Sequence, residues 1–359
     1  MPPKAATPFA LELDRRVTEG ALGVLYEKLD DHQVRCVACA HRCLIKEGLR
    51  GICKVRSNQG GVLMVPHGYV GALQCDPIEK KPFFHAYPGS DALTFGMLGC
   101  DLHCGYCQNH LTSQALRDPD ALAEPMDCTP AQLIDAARRQ GARVVATSYN
   151  EPLITSEWAV EVFTAARSQG FATAYISNGN ATREVLEYIR PLTDLYKIDL
   201  KSMRDKNYRL LGGKLENILN GIGMVHAMGF WLEIVTLIIP GFNDSDDELR
   251  EAAGFLHDLS PHIPWHVTAF HKDYKMQDSD NTTPAALLRA AAIGEAAGLE
   301  FVYAGNLPGR VGRYEDTRCP GCGRTLIRRV GYRILEDRLF GRGRCDRCEQ
   351  PIPGVWGQD

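Results

Sequence analysis

The chain has 359 residues, 45% of them hydrophobic and 23% charged, with a net charge of −4 and a pI near 6.3. That length suits one large domain with small satellites better than a single core, and the near-neutral balance argues against a chain-wide electrostatic surface for nucleic acid. No apolar run approaches 18 residues, and the start Met1-Pro-Pro-Lys-Ala-Ala-Thr-Pro8 lacks the apolar centre of a signal peptide, so a soluble, cytoplasmic protein with no membrane contact is expected. Residues 11–29 carry an amphipathic pattern that predicts one helix. Cys36, Cys39, Cys43 and Cys53 follow, four thiols within 18 residues of a basic, Gly-containing stretch that cannot build an apolar core. A metal is expected to supply the missing stability there. Tetrahedral zinc is the first expectation and a second iron–sulfur cluster the alternative, with His41 a bystander. Residues 1–60 are read as this N-terminal module.

Residues 61–316 are read as the main domain. Val62–Gly71 suggests short strands with turns, and Asp76-Pro-Ile-Glu-Lys-Lys-Pro-Phe-Phe-His85 an ordered loop, either a solvated connection or a cover over a site. From Asp91 onward strand and helix patterns alternate. Strands are predicted at 92–97, 143–148, 171–176, 195–200, 231–238, 265–270 and 300–303, and helices at 130–140, 153–169, 182–190, 216–228, 246–259 and 284–297. Thr129, Pro130 and Gln132 form a capping-box start, and Gly141, Gly170, Gly229 and Gly298 sit where helices should stop. Repeated βα units of this kind imply an α/β fold with a parallel sheet, here an open, partial (β/α) barrel. Residues 317–359 change character. Cys319-Pro-Gly-Cys322 and Cys345-Asp-Arg-Cys348 are two C-x2-C knuckles separated by 22 residues. This is a zinc-ribbon arrangement, with a rubredoxin-like iron site the alternative. Its nine Arg and five acidic residues describe either a solvated surface or a docking face for an acidic partner or RNA.

Eleven of the 13 Cys fall in three such groups, leaving Cys75 and Cys128 as buried or incidental thiols. The central group is Cys100-Asp-Leu-His-Cys104-Gly-Tyr-Cys107, directly after the apolar run that begins at Ala92. Three thiolates can hold a cubane iron–sulfur cluster that normally takes four Cys, which leaves one iron open. Zinc, or three aligned core cysteines, is the alternative. A C-x3-C-x2-C loop after the first strand of an α/β chain resembles the radical S-adenosylmethionine (SAM) superfamily. The resemblance implies a [4Fe–4S] cluster whose open iron chelates SAM, reductive cleavage to methionine and a 5′-deoxyadenosyl radical, and hydrogen abstraction from a substrate. It also implies an electron donor such as flavodoxin or ferredoxin.

In a parallel (β/α) barrel the site forms at the carboxyl ends of the strands, and that rule selects the SAM-contact candidates. Glu151 of Ser-Tyr-Asn-Glu-Pro matches the superfamily's Gly-Gly-Glu element in position, with Tyr149 and Asn150 replacing the glycines; a plain loop carboxylate is the alternative. Ser177 and Asn178 precede Gly179 in a turn that lets backbone approach a ligand, with an ordinary turn the alternative. Asp199 and Lys201 share one face of the fourth strand by alternation, as a ligand-holding pair or a structural ion pair. His266, near the start of the sixth strand, is added on resemblance alone, since a His near this strand contacts SAM in the branch of glycyl-radical-enzyme activases that the chain resembles; a packed core histidine is the alternative.

The four N-terminal Cys, Asp76-Pro-Ile-Glu-Lys-Lys-Pro82, the Cys100 loop with Gln108-Asn109, Ser148–Pro152, Ile239-Pro-Gly-Phe-Asn-Asp-Ser245 and a ribbon ending Pro353-Gly-Val-Trp356 occur together. That assembly resembles the AmmeMemoRadiSam system radical SAM enzymes over nearly the whole chain. The likeness implies association with Memo-like and AMMECR-like proteins and leaves the substrate unnamed. Two other functions compete: a glycyl-radical-enzyme activase, and a zinc-rich module binding nucleic acid or protein.

Overall fold

Strands built from Val, Ile, Ala and aromatic residues return to one sheet after each helix from residue 91 to residue 305, as the alternating pattern requires. The computed structural model describes residues 12–121, 123–339 and 341–357. The sheet contains β1 (Ala72–Pro77), β2 (Asp91–Gly96), β3 (Val144–Thr147), β4 (Ala172–Ser177), β5 (Leu195–Asp199), β6 (Trp231–Ile238), β7 (Trp265–Ala269) and β8 (Val302–Gly305), adjacent in chain order. β2 to β8 are parallel throughout, while β1 pairs antiparallel with β2. β1 and β8 are its two edges, so the barrel is open. Among the described residues, seven helices of seven residues or more accompany the strands: α1 (Pro130–Arg139), α2 (Ser156–Ser168), α3 (Arg183–Ile189), α4 (Asp205–Leu211), α5 (Leu215–Ala227), α6 (Asp246–Leu259) and α7 (Pro284–Ala296). None among the described residues is long and apolar enough to cross a membrane.

Local chemistry explains the boundaries. The Thr129 hydroxyl accepts from the Gln132 amide while the Gln132 side chain accepts from the Thr129 amide, and Pro130 occupies the first turn of α1. Gly141, Gly170, Gly229 and Gly298 all take positive φ after their helices. Sequence reasoning missed α4, whose N-cap Arg204 offers no side-chain cap.

The two faces of the sheet do different work. Leu93, Phe95, Val145, Tyr175, Tyr196, Ile198, Ile234 and Trp265 face the helices in the main core. The alternate positions Ala92, Val144, Ala146, Ala172 and Ala174 are small, and Ile78, Phe83 and Ala86 pack against them. The segment after β1 is therefore a plug for the inner face. Lys81 within it is buried rather than solvated.

The ends of the chain correct two expectations. Residues 12–29 are not one helix but contain strands Val17–Glu19 and Tyr26–Lys28; Leu11 lies outside the described residues. Val17 and Thr18 pair with Pro66 and Val65. A long-range ladder here outweighs the local periodicity. That ladder joins residues 17–19 to 57–66, so pairing runs through residue 60. At the other end Thr317–Arg318, Thr325–Val330 and Arg333–Asp337 form the ribbon's antiparallel sheet. Arg329 turns inward from it. Its guanidinium donates to the Phe84 carbonyl at 2.9 Å and the Thr317 hydroxyl at 2.7 Å, lies 4.4 Å from the Phe84 ring, and faces buried Glu79 at 3.7 Å. One of the nine ribbon arginines thus belongs to the interior and not to a solvated surface.

Candidate active site

A cavity of about 380 Å³ opens at the carboxyl end of the parallel strands, within the size range of a nucleoside-sized ligand. Cys100, Cys104 and Cys107 line it. Two glycines let their loop leave β2. A Cβ at Gly96 would lie 2.2 Å from the Ser148 carbonyl, and Gly99 takes φ +92° against Val55 and the Cys53 carbonyl. The Leu102 amide donates to the Cys100 sulfur at 3.4 Å, and the Cys107 sulfur lies 3.1 Å from the Ser113 hydroxyl. Burial pushes all three thiols up, Cys104 to about 12, while the nearby Lys201 charge partly opposes this for Cys104 and Cys107. Thiols so placed become thiolates when a metal supplies positive charge. The three sulfurs do not all gather within 4.8 Å, unlike those of the ribbon. That fits a cubane, in which each thiolate ends on a different iron.

Glu151, Ser177 and Asn178 come together beside this loop. The Glu151 carboxylate accepts from the Ser177 hydroxyl at 2.7 Å, the Asn178 amide at 2.7 Å and the Leu153 amide at 3.1 Å. Burial and the neighbouring Asp101 charge nevertheless push it up to about 8. Asp101 is the residue sequence reasoning missed. Fully buried beside Cys100, it accepts from the Asn178 and Asn180 side chains, both at 2.7 Å. Its position inside the Cys motif, and the Asn178-Gly-Asn180 pair, were the available signals.

Asp199 and Lys201 meet as alternation predicts, at 3.4 Å, but Lys197 is closer to Asp199 at 2.6 Å. The same alternation includes Lys197, two residues earlier on the strand. Burial alone would raise the Asp199 carboxyl, but the two ammonium groups outweigh it and hold it at about 2. His266 lines the cavity too, yet its Nε2 bonds Glu233 at 2.7 Å. Glu233 also accepts the Phe84 and His85 amides and the Trp231 indole at 2.9–3.0 Å, so the plug is tied to the inner face at His266. Lys80, Lys81 and Tyr149 form another wall: Asp76 binds both lysines, and the Lys81 ammonium lies 3.1 Å from the Tyr149 hydroxyl. Cys75 and Cys128 are not among the cavity's lining residues.

The ribbon's Cys319, Cys322, Cys345 and Cys348 bring all four sulfurs within 4.8 Å, with contacts of 3.5 and 3.6 Å. A tetrahedral zinc with bonds near 2.3 Å needs sulfurs about 3.8 Å apart, so this set could hold one. For Cys345, burial acts upward, but amides of Arg347 and Cys348 and the facing thiols outweigh it and bring the thiol down to about 7. The N-terminal thiols Cys36, Cys39, Cys43 and Cys53 abut the Cys100 loop. The Ala40 amide donates to the Asn180 carbonyl at 2.9 Å, and His41 Nε2 lies 3.2 Å from the Asp101 carbonyl.

An open parallel α/β barrel with a three-thiol loop at its carboxyl end defines the class of scaffold. A sequence model of the Radical SAM superfamily matches residues 95–256. The chain is 37% identical over 332 residues to an uncharacterized protein of Methanocaldococcus jannaschii, a match covering 92% of this chain and 98% of that protein. It is 24% identical over 230 residues to the pyruvate formate-lyase 1-activating enzyme of Escherichia coli, covering 60% and 93%. A solved radical SAM methyltransferase from Sphaerobacter thermophilus aligns with a TM-score of 0.48 at 14% identity, covering 84% and 82%. Residues 95–256 thus belong to the Radical SAM superfamily. That membership implies SAM and a [4Fe–4S] cluster as cofactors.

Proposed function

We propose that this protein is an enzyme that reductively cleaves SAM at a [4Fe–4S] cluster on Cys100, Cys104 and Cys107 and uses the 5′-deoxyadenosyl radical to abstract hydrogen from a substrate. The observation that carries the reading is the joining of the three-thiol loop to Glu151, Ser177 and Asn178 through Asp101 at one cavity. When bound, the cluster supplies the electron and an open iron for the amino and carboxylate groups of SAM. Asp101 holds Asn178 against the cluster loop, and Glu151 fixes the end of β4. Lys197, Asp199 and Lys201 offer two cations and one carboxylate in the cavity lining for the ligand's polar groups. Superfamily chemistry needs a one-electron donor, such as flavodoxin or ferredoxin.

A modifying enzyme is favoured over a glycyl-radical-enzyme activase because the cavity walls include Lys80, Lys81, Asn306 and Tyr332, all outside the superfamily's matched region. The similarity to pyruvate formate-lyase-activating enzymes favours the second reading. Association with Memo-like and AMMECR-like proteins is part of the proposal, supported by the joint occurrence of the N-terminal Cys set, the Cys100 loop and the ribbon. Anaerobic reconstitution followed by dithionite should yield 5′-deoxyadenosine and methionine from SAM, and Cys104→Ala should abolish both. A reconstituted protein with iron on this loop that makes no 5′-deoxyadenosine overturns the reading. A glycyl radical on an added partner, seen by electron paramagnetic resonance, would select the activase.

A further inference from the structure

We infer that Cys36, Cys39, Cys43 and Cys53 hold a second [4Fe–4S] cluster, seated against the Cys100 loop, through which electrons enter the protein. The chain carries its own ruler for thiol spacing. The ribbon's four sulfurs all lie within 4.8 Å of one another, as a single tetrahedral ion requires. Cys100, Cys104 and Cys107 do not gather so tightly, and a cubane would hold its thiolates roughly 6 Å apart on separate irons. Among the described residues no three of the N-terminal thiols gather within 4.8 Å either. They are neighbours all the same: the Cys36 amide donates to the Cys43 carbonyl at 2.9 Å, the Cys43 sulfur lies 3.7 Å from the space a Cβ on Gly51 would fill, and Cys36 bears electrostatically on Cys39, Cys43 and Cys53. Like the Cys100 set, they are not drawn as close together as the ribbon's thiols. Zinc, the first expectation from the four-Cys pattern, fits this geometry less well.

The module is also joined to the Cys100 loop by direct bonds. One guanidinium, Arg117, donates to the Ile52 carbonyl at 2.6 Å and to the Leu102 carbonyl at 2.8 Å, linking the residue before Cys53 to the loop between Cys100 and Cys104. The Cys53 carbonyl lies 3.1 Å from the space a Cβ on Gly99 would fill. His41 reaches the Asp101 carbonyl from the other side. Two metal sites in such contact suit electron transfer, whereas a purely structural ion needs no such proximity. On the outside, Leu44 and Ile52, chain neighbours of Cys43 and Cys53, are 51% and 39% exposed, with Lys46 and Lys54 exposed beside them. An apolar surface edged by lysines fits an acidic one-electron carrier protein.

The transfer balances simply. One electron from a low-potential carrier takes the N-terminal cluster from the 2+ to the 1+ state. Its passage returns that cluster to 2+ and leaves the Cys100 cluster at 1+, with no bond made or broken. The electron-entry role rests on the radical reading above; the metal assignment does not.

The test uses the full chain, isolated and reconstituted anaerobically. Analysis should find about eight iron, about eight sulfide and about one zinc per chain. The Cys100→Ala/Cys104→Ala/Cys107→Ala variant should keep about four iron and a reduced-cluster paramagnetic signal that SAM leaves unchanged. The Cys36→Ser/Cys43→Ser variant should keep about four iron with a SAM-sensitive signal, which also shows that the barrel is folded. Its 5′-deoxyadenosine formation should survive with dithionite but fall about tenfold or more with reduced flavodoxin. About four iron and two zinc in the parent, with none of the iron left in the triple variant, overturns the second cluster and leaves the radical reading standing. Equal rates with flavodoxin in parent and double variant overturn the electron-entry role. An eight-iron parent that makes no 5′-deoxyadenosine instead overturns the radical reading and leaves the metal assignment intact.

Discussion

Arg56→Met tests how the N-terminal module is anchored. Arg56 is 1% exposed, and its guanidinium meets the Glu157 carboxylate through two bonds of 2.8 and 2.7 Å and the Ile154 carbonyl through a third of 3.1 Å. These contacts tie the residues after Cys53 to the turn between Glu151 and α2. Methionine fills much of the same space but leaves the buried Glu157 carboxylate without its cation, a loss of about 3–5 kcal/mol. Adding Glu157→Leu removes the stranded charge, and the double variant should recover most of that loss. The assay is urea unfolding followed by tryptophan fluorescence under anaerobic conditions at matched metal content, run as a double-mutant cycle. A single-variant loss below about 1 kcal/mol, typical of exposed pairs, would refute the reasoning. So would a double variant as unstable as the sum of the singles.

Three further outcomes are expected. With Glu151 raised to about 8 by burial and Asp101, its carboxyl is neutral below that pH. If it meets the SAM ammonium as a carboxylate, SAM affinity should weaken by about tenfold per pH unit below 8, and Glu151→Gln should flatten the profile; calorimetric titrations at several pH values check this, and a flat parental profile contradicts it. Phe83→Ala should cost about 3–5 kcal/mol in denaturant unfolding because the ring fills the sheet's inner face, and a negligible change would mean that the segment is not a plug. If the ribbon's four thiols hold one zinc, Cys345→Ser should release it and open residues 319–348 to limited proteolysis, read by metal analysis and mass spectrometry; retention of about one zinc per ribbon would count against the four-thiol site.

Much of the frame was legible because period and capping are local. Each expected strand from 92 to 303 overlaps an observed one, and α1 begins at the predicted Thr129 cap. The carboxyl-end rule then brought Glu151, Ser177, Asn178, Asp199 and Lys201 to the lining of one cavity, and His266, chosen by resemblance from near the start of its strand, lines it too. What escaped was governed by partners far along the chain. Residues 17–19 became a strand because residues 64–66 offered a ladder. His266 is committed to Glu233, on the adjoining strand, through a bond no periodicity announces.

By itself the sequence determined the βα order, the strand ends that line the cavity and the three groups of Cys at metal-ligand spacing, since spacing and alternation act over a few residues. Only the tertiary structure decided how those thiols are spread, and that Asp101 joins the Cys100 loop to Asn178, 77 residues away. It alone drew Phe83 and the ribbon's Arg329 into the interior. Those choices depend on which buried donors, acceptors and small side chains become neighbours after folding, because a buried polar group must find its partner wherever in the chain that partner lies.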